Sequence, residues 1–303
     1  KSEDFMIRTV RGDIDPSKLG VTMCHEHLSV DLGRIRNDSD STFGYSPLII
    51  DEINFAKECG VQAFVEMSTN DMGRNVNDLL KLSNACDVHI IAPTGFYLEQ
   101  YHPQYIHEMS EDDIAEIFIK DLTVGIDDTN IRAGVIGEVA TSKVMTEDEK
   151  KVLAAAAIAG KKVGCCVSTH CQMGTLGHQQ LDIFTEKDMP FNKVILGHID
   201  LSNDIAYMKS LMDRGANIGF DTIGKTSYLK DESRADNLAQ LIKEGYVNNI
   251  ILSADISRKS YMKTFGEYNG YTAVLDKFIP LLKERGICQD DINHLLIKNP
   301  SRI

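Results

Sequence analysis

The sequence has no tryptophan in 303 residues, no Cys-x-x-Cys pair, and no Gly-x-Gly-x-x-Gly after its first apolar run. Each absence removes a class of function. Without indole rings, stacking of sugar polymers or nucleobases would fall to the 10 Tyr and 11 Phe alone. The seven cysteines are an odd number in mostly apolar contexts, which reads as reduced thiols of a cytoplasmic protein and neither a disulfide framework nor a thiolate zinc knuckle. The missing glycine fingerprint weakens a dinucleotide-binding reading. Basic excess is also lacking: 32 Lys and Arg against 45 Asp and Glu give a net charge of −13, so no broad surface suits a nucleic-acid backbone. A local basic pocket for one small anion stays open. No apolar run approaches the ~20 residues of a membrane helix, and no stretch has the basic start and apolar core of a secretion leader.

What is present is an apolar fraction of 43%, enough for a large core. Short, nearly continuous apolar runs recur at Val21–Leu28, Ala63–Ser68, His89–Tyr97, Ala133–Ala140, Val163–His170, Lys193–Ile199, Asn217–Gly224 and Ile250–Ile256. Such runs suit parallel strands buried on both faces. Between them the apolar spacing predicts helices over Pro47–Cys59, Val76–Ala85, Glu111–Val124, Glu147–Ala159, Leu176–Lys187, Asp204–Arg214, Ala235–Glu244 and Ala273–Arg285, with Gly60, Gly215, Gly245 and Gly286 as stops. The length admits two ordinary domains or one barrel, which typically takes ~250 residues or more. Eight strand and helix units favour a single (β/α)₈ TIM-barrel domain over residues 1–303: an N-terminal strand region 1–20, the barrel 21–286, and a C-terminal helix and tail 287–303. A doubly wound open sheet is the structural alternative. In the tail, a short helix over Ile292–Ile297 is expected to end at Asn299-Pro300.

The first run ends in His25-Glu-His27. On a strand, side chains alternate, so the two imidazoles share one face and can grip one cation while Glu26 points away. Glu138, His170, His198 and Asp255 lie at or near the ends of runs four, five, six and eight. Singly, His198 reads as a core histidine and Asp255 as a helix cap. A barrel brings all these ends to one mouth, where buried ionisable groups are costly unless paired or bound to metal.

Matches in order along the chain carry a resemblance: His25-Glu-His27, Met72-Gly-Arg-Asn75, Ala133-Gly-Val-Ile-Gly-Glu-Val-Ala-Thr-Ser142, Ser168-Thr-His170 with Met173-Gly-Thr175, Leu196-Gly-His-Ile-Asp200, Phe220-Asp-Thr-Ile-Gly224, Leu252-Ser-Ala-Asp255 and Asn299-Pro-Ser301. The sequence resembles the phosphotriesterase-like branch of the amidohydrolase superfamily, and most closely its phosphotriesterase homology proteins. The resemblance implies two divalent cations, usually zinc. One would sit on His25, His27 and Asp255 and the other on His170 and His198, with a carboxylate and a hydroxide between them. Many relatives bridge through a carbamylated lysine. Here no lysine lies between Lys120 and Lys143, so Glu138 is the bridge to expect, which moves the chain away from phosphotriester hydrolysis as its main activity. The resemblance implies attack by metal-activated hydroxide, with Asp255 taking the proton.

The substrate is expected to be a small molecule. Lys225, Arg258 and Tyr261, in the loops after runs seven and eight, can hold a dianion beside the metals or simply be solvated loop charges. Related lactonases use Lys, Arg and Tyr in similar loops on phosphorylated sugar lactones, so the resemblance suggests a lactonase or carboxylic esterase. Arg74 is a further candidate anion contact, and Tyr97 and Tyr228 are candidates to line the pocket. Amide or phosphoester hydrolysis and a non-catalytic metal-binding scaffold are the alternatives, the acidic surface weighing against a nuclease. Cys171, beside a ligand, is not expected to act as a nucleophile, since its neighbouring histidines are committed to metal. A homodimer is left open.

Overall fold

The computed structural model describes residues 5–303, so positions 1–4 of the expected N-terminal strand region lie outside the described residues. Parallel strands Thr22–Glu26, Ala63–Glu66, His89–Ile91 with Pro93–Thr94, Val135–Thr141, Val167–Cys171, Val194–Leu196, Asn217–Phe220 and Ile250–Leu252 pair in chain order. The third strand changes partner at Ala92: His89 registers with Ala63 on one side, and Pro93 with Val135 on the other. Proline has no N–H to donate, which suits a place where the ladder switches sides.

The eighth strand packs beside the first, and side chains carry that seam. The buried Glu26 carboxylate accepts from the Ala254 and Ile256 N–H groups, each at 2.8 Å, and from the Ser253 hydroxyl at 2.6 Å. The sheet therefore runs from first to eighth and returns to the first. This is a (β/α)₈ barrel, and its consecutive strand order excludes the doubly wound alternative, whose order reverses at a switch point.

Local chemistry fixes the outer helices. Ser110 with Asp113 and Thr146 with Glu149 form reciprocal caps that start Glu111–Thr123 and Glu147–Val163. The four expected glycine stops do carry left-handed backbone, with φ +113° at Gly60, +101° at Gly215, +94° at Gly245 and +81° at Gly286. Several expected boundaries move: strands seven and eight end early, at Phe220 and Leu252, and the helix expected from Ala235 starts at Asp231. The fourth-to-fifth connection stays helical through Val163 and stops at Gly164, φ +80°, so the fifth strand begins only at Val167. At the C-terminus, Pro300 does not end the helix: a π-helical turn, His294–Lys298, leads into Asn299–Arg302. The widened turn lets the chain pass a residue with no N–H, and the turn Val274–Phe278 precedes Pro280 in the same way.

The core lies inside the barrel and between strands and helices, where Phe64, Phe96, Phe118, Phe184, Phe220 and Phe278 are fully buried. An antiparallel hairpin, Ile7–Thr9 with Gly12–Ile14, packs Ile7 against Ala63, Ile91 and Val135 at the strands' N-terminal end. The opposite end is left to the loops. No helix among the described residues is long and apolar enough to cross a membrane.

Candidate metal centre

At the C-terminal mouth the structure brings His25, His27, Glu138, His170, His198 and Asp255 together, all buried. His25 lies in the first strand and His27 immediately follows it, and Glu138 and His170 sit within the fourth and fifth strands. His198 and Asp255 follow the sixth and eighth strands with φ +63° and +52°, a left-handed conformation that costs of order 1–3 kcal/mol outside glycine and clusters at functional sites.

Glu138 divides its oxygens. Oε2 lies 3.1 Å from His25 Nε2 and 3.2 Å from His27 Nε2, while Oε1 lies 2.9 Å from His170 Nδ1 and 3.6 Å from His198 Nε2. Asp255 Oδ1 joins the first group, 3.0 Å from His27 Nε2 and 3.6 Å from His25 Nε2. Two clusters of ligand atoms thus share one carboxylate: His25, His27, Glu138 and Asp255, and Glu138, His170 and His198.

The far side of each ring tests whether these groups suit metal. Ser68 gives its proton to Glu66, 2.5 Å away, so His27 Nδ1 is the donor to the Ser68 oxygen at 2.9 Å and Nε2 is left with a lone pair. Asp221 accepts from His198 Nδ1 at 2.8 Å and lies 3.6 Å from His25 Nδ1, which has no hydrogen-bond partner among the described residues. His170 turns the other way, donating from Nε2 to Gln172 Oε1 at 2.6 Å and presenting Nδ1 to Glu138. In all four rings a nitrogen faces the centre where a cation needs it, and in His27, His170 and His198 the tautomer is held from behind. The donor set, imidazole and carboxylate only, suits zinc or a similar borderline cation.

Charge distribution agrees. Burial works against ionisation of Glu138, yet the surrounding imidazoles hold its carboxyl well below the usual range. Burial opposes charge on His27 too, but Asp255 and Glu138 hold that ring up to about 10. The centre is a place where carboxylates demand positive charge, as protons or as cations. Burial pushes the Cys171 thiol up to about 12, which disfavours the thiolate a nucleophile needs.

Above the cluster is a cavity of about 290 Å³ lined by Tyr97, Lys225, Tyr228, Arg258 and Tyr261. Tyr97 stands edge-on to His170 with ring centroids 5.0 Å apart, and Tyr228 is at the exposed rim. Lys225 is buried, its Nζ 2.7 Å from Asp255 Oδ2, and Arg258 pairs with Asp38. Arg74 departs from expectation: its guanidinium bonds Asp121 at 2.9 Å and the Pro93 carbonyl at 3.0 Å, away from this cavity. Its neighbouring acids claimed it first.

The sequence reading gave no role to Asp221, Glu66, Ser68, Gln172, Arg36 or Tyr101. Asp221 had a signal, a carboxylate closing an apolar run like the other candidates. Gly219 makes room for it, since a Cβ there would lie 2.3 Å from Asp221 Oδ2. Arg36 and Tyr101 had none, because both lie in short helical turns of the connections after the first and third strands, whose course no periodicity gives.

Comparison with known proteins places these features in context. A sequence model of the Phosphotriesterase family matches residues 5–303. A phosphotriesterase homology protein of Escherichia coli (strain K12) is 36% identical, the alignment covering 95% of this chain and 98% of that one. An N-acetyltaurine hydrolase of Dictyostelium discoideum is 33% identical over 84% of this chain and 72% of its own. The crystal structure of a lactonase from Listeria monocytogenes superposes with a TM-score of 0.93 at 25% identity, covering 98% of each chain.

Proposed function

The chain belongs to the phosphotriesterase family and is a metal-dependent hydrolase; from that premise we propose that it uses two zinc ions to open a phosphorylated sugar lactone. Residues 1–303 act as one domain in this reading, in the reducing cytoplasm that its seven free thiols suit. The observation that carries it is the sharing of one cavity by both ligand clusters and by Lys225, Arg258 and Tyr261. A lactone carbonyl over Glu138 would leave a phosphate within reach of those basic side chains. Kinship to the Listeria lactonase structure points the same way.

His25, His27 and Asp255 would hold one ion, His170 and His198 the other, and Glu138 both. Bound there, the ions lower the pKa of a water and polarise a carbonyl oxygen. The chain's own groups do the rest. Water adds to the ring carbonyl carbon, the ring C–O bond breaks, and one proton moves to the ring oxygen through Asp255. Its Oδ2 faces the cavity and Lys225, while Oδ1 faces the imidazoles. Lys225 would neutralise charge as the ring oxygen departs, and Tyr97 would restrict water beside His170.

An N-acyl amide with a sulfonate tail is the second reading, favoured by the Dictyostelium N-acetyltaurine hydrolase, which is more similar in sequence than the lactonase. Zinc-loaded protein assayed against pentono-lactones with and without a 5-phosphate, and against N-acetyltaurine, separates the two. The lactonase reading expects kcat/KM at least about tenfold higher for the phosphorylated lactone than for either other substrate. Equal rates on phosphorylated and neutral lactones remove the phosphate, and turnover confined to the amide removes the lactone.

A further inference from the structure

Arg36, on the short helix Gly33–Arg36 after the first strand, lines the same cavity as His27, Glu138 and Asp255. Its Nε donates to the Tyr101 hydroxyl at 3.0 Å and its Nη1 to Ser41 Oγ at 3.5 Å. The other basic groups nearby each have a carboxylate partner: Lys225 with Asp255, Arg74 with Asp121, and Arg258 with Asp38, the last through Nη1 alone so that the rest of its fork can take a second anion. Among the described residues Arg36 has no carboxylate at salt-bridge distance, although it is half-buried in a protein of net charge −13. A fixed guanidinium with neutral partners, facing a cavity, is a charge waiting for an anion.

Its position relative to Arg258 gives the geometry. Ser41, which accepts from Arg36, donates to Asp38 Oδ2 at 3.3 Å, and Asp38 pairs with Arg258. The first and eighth loops thus bring two guanidiniums to one wall, joined behind by Ser41 and Asp38. The Tyr101 oxygen is taken by Arg36, so its own proton is free to donate into the cavity it lines. Two planar forks and a hydroxyl match the several oxygens of a tetrahedral oxyanion better than a flat carboxylate. We propose that Arg36 and Arg258 clamp the phosphate or sulfonate head of the substrate, with Tyr101 bracing Arg36. This rests on the reading above that the substrate is anionic, and adds a specificity-determining residue that the motifs do not contain.

Binding of products tests it whether or not a given substrate is turned over. Zinc-loaded wild type and Arg36→Met are titrated calorimetrically with a pentonate 5-phosphate against the unphosphorylated pentonate, and with taurine against ethylamine. Wild type should bind at least one oxyanion about tenfold more tightly than its partner lacking it, and Arg36→Met should reduce that preference about tenfold. Which pair responds tells phosphate from sulfonate. Arg36→Lys should recover only part, and Tyr101→Phe, which keeps the charge but loses the brace, should cost about threefold. Metal content and melting temperature check that each variant is folded. The proposal is overturned by a wild type that prefers neither oxyanion, or by a preference that survives in Arg36→Met. Lactone turnover, measured separately, decides the earlier reading without bearing on this one.

Discussion

Asp255 serves two neighbours at once, one oxygen turned to the imidazoles and the other bonded to Lys225 at 2.7 Å. Replacing it by Asn keeps the size and one oxygen but removes the proton acceptor. Asp255→Asn should retain most of its metal while kcat falls by roughly 10²–10⁴; full turnover in that variant would remove Asp255 as the base. Asp71 shows a different use of a buried acid. Burial pushes its carboxyl up to about 7 against the hydrogen bonds from Thr69 at 2.5 Å and the Tyr97 N–H at 3.0 Å. Because the folded state keeps this proton longer than the unfolded one, stability contributed here is full below the ordinary 3.8 and declines as pH rises toward about 7. Denaturant titrations of Asp71→Asn should therefore show less loss of stability than wild type between those limits. Parallel curves would show that the group ionises freely.

At the scale of elements, loops are held by buried charges on the helices that follow them. Arg234, fully buried in helix Asp231–Lys243, reaches Asp200 at 2.9 Å, Asp231 at 2.9 Å, Thr222 Oγ1 at 2.8 Å and the Leu229 carbonyl at 2.6 Å. Those contacts span the loop that carries Lys225 and Tyr228. Arg234→Met leaves Asp200 and Asp231 buried without their cation, and should lower unfolding free energy by roughly 3–5 kcal/mol. A chemical melt within experimental error of wild type would show that the loop is held otherwise. Little of this latch was legible in the sequence. The starts at Glu111 and Glu147 and the four glycine stops were, but the helix that carries Arg234 begins at Asp231 and not at the expected Ala235. Partners of Arg234, Arg74 and Arg36 are set by tertiary placement, which local spacing does not contain. For the same reason Val163 read as the start of a strand although a capped, alanine-rich helix carries through it to Gly164.

For the whole molecule, closure of the barrel and assembly of the centre are one event. Glu26, between the two histidines of the first strand, bonds the backbone of residues 254–256 and so fixes Asp255 beside His27. The alternation of His25-Glu26-His27 was readable: one face for ligands, the other for structure. That the outward residue would seal the first strand to the eighth was not, because the seam joins positions more than 220 residues apart. The most direct test is metal stoichiometry by elemental analysis of zinc-reconstituted, dialysed protein, wild type against Glu138→Ala. The shared carboxylate predicts about two ions per chain in wild type and a fall to one or fewer when it is removed. One ion in wild type, or two retained without Glu138, would contradict it.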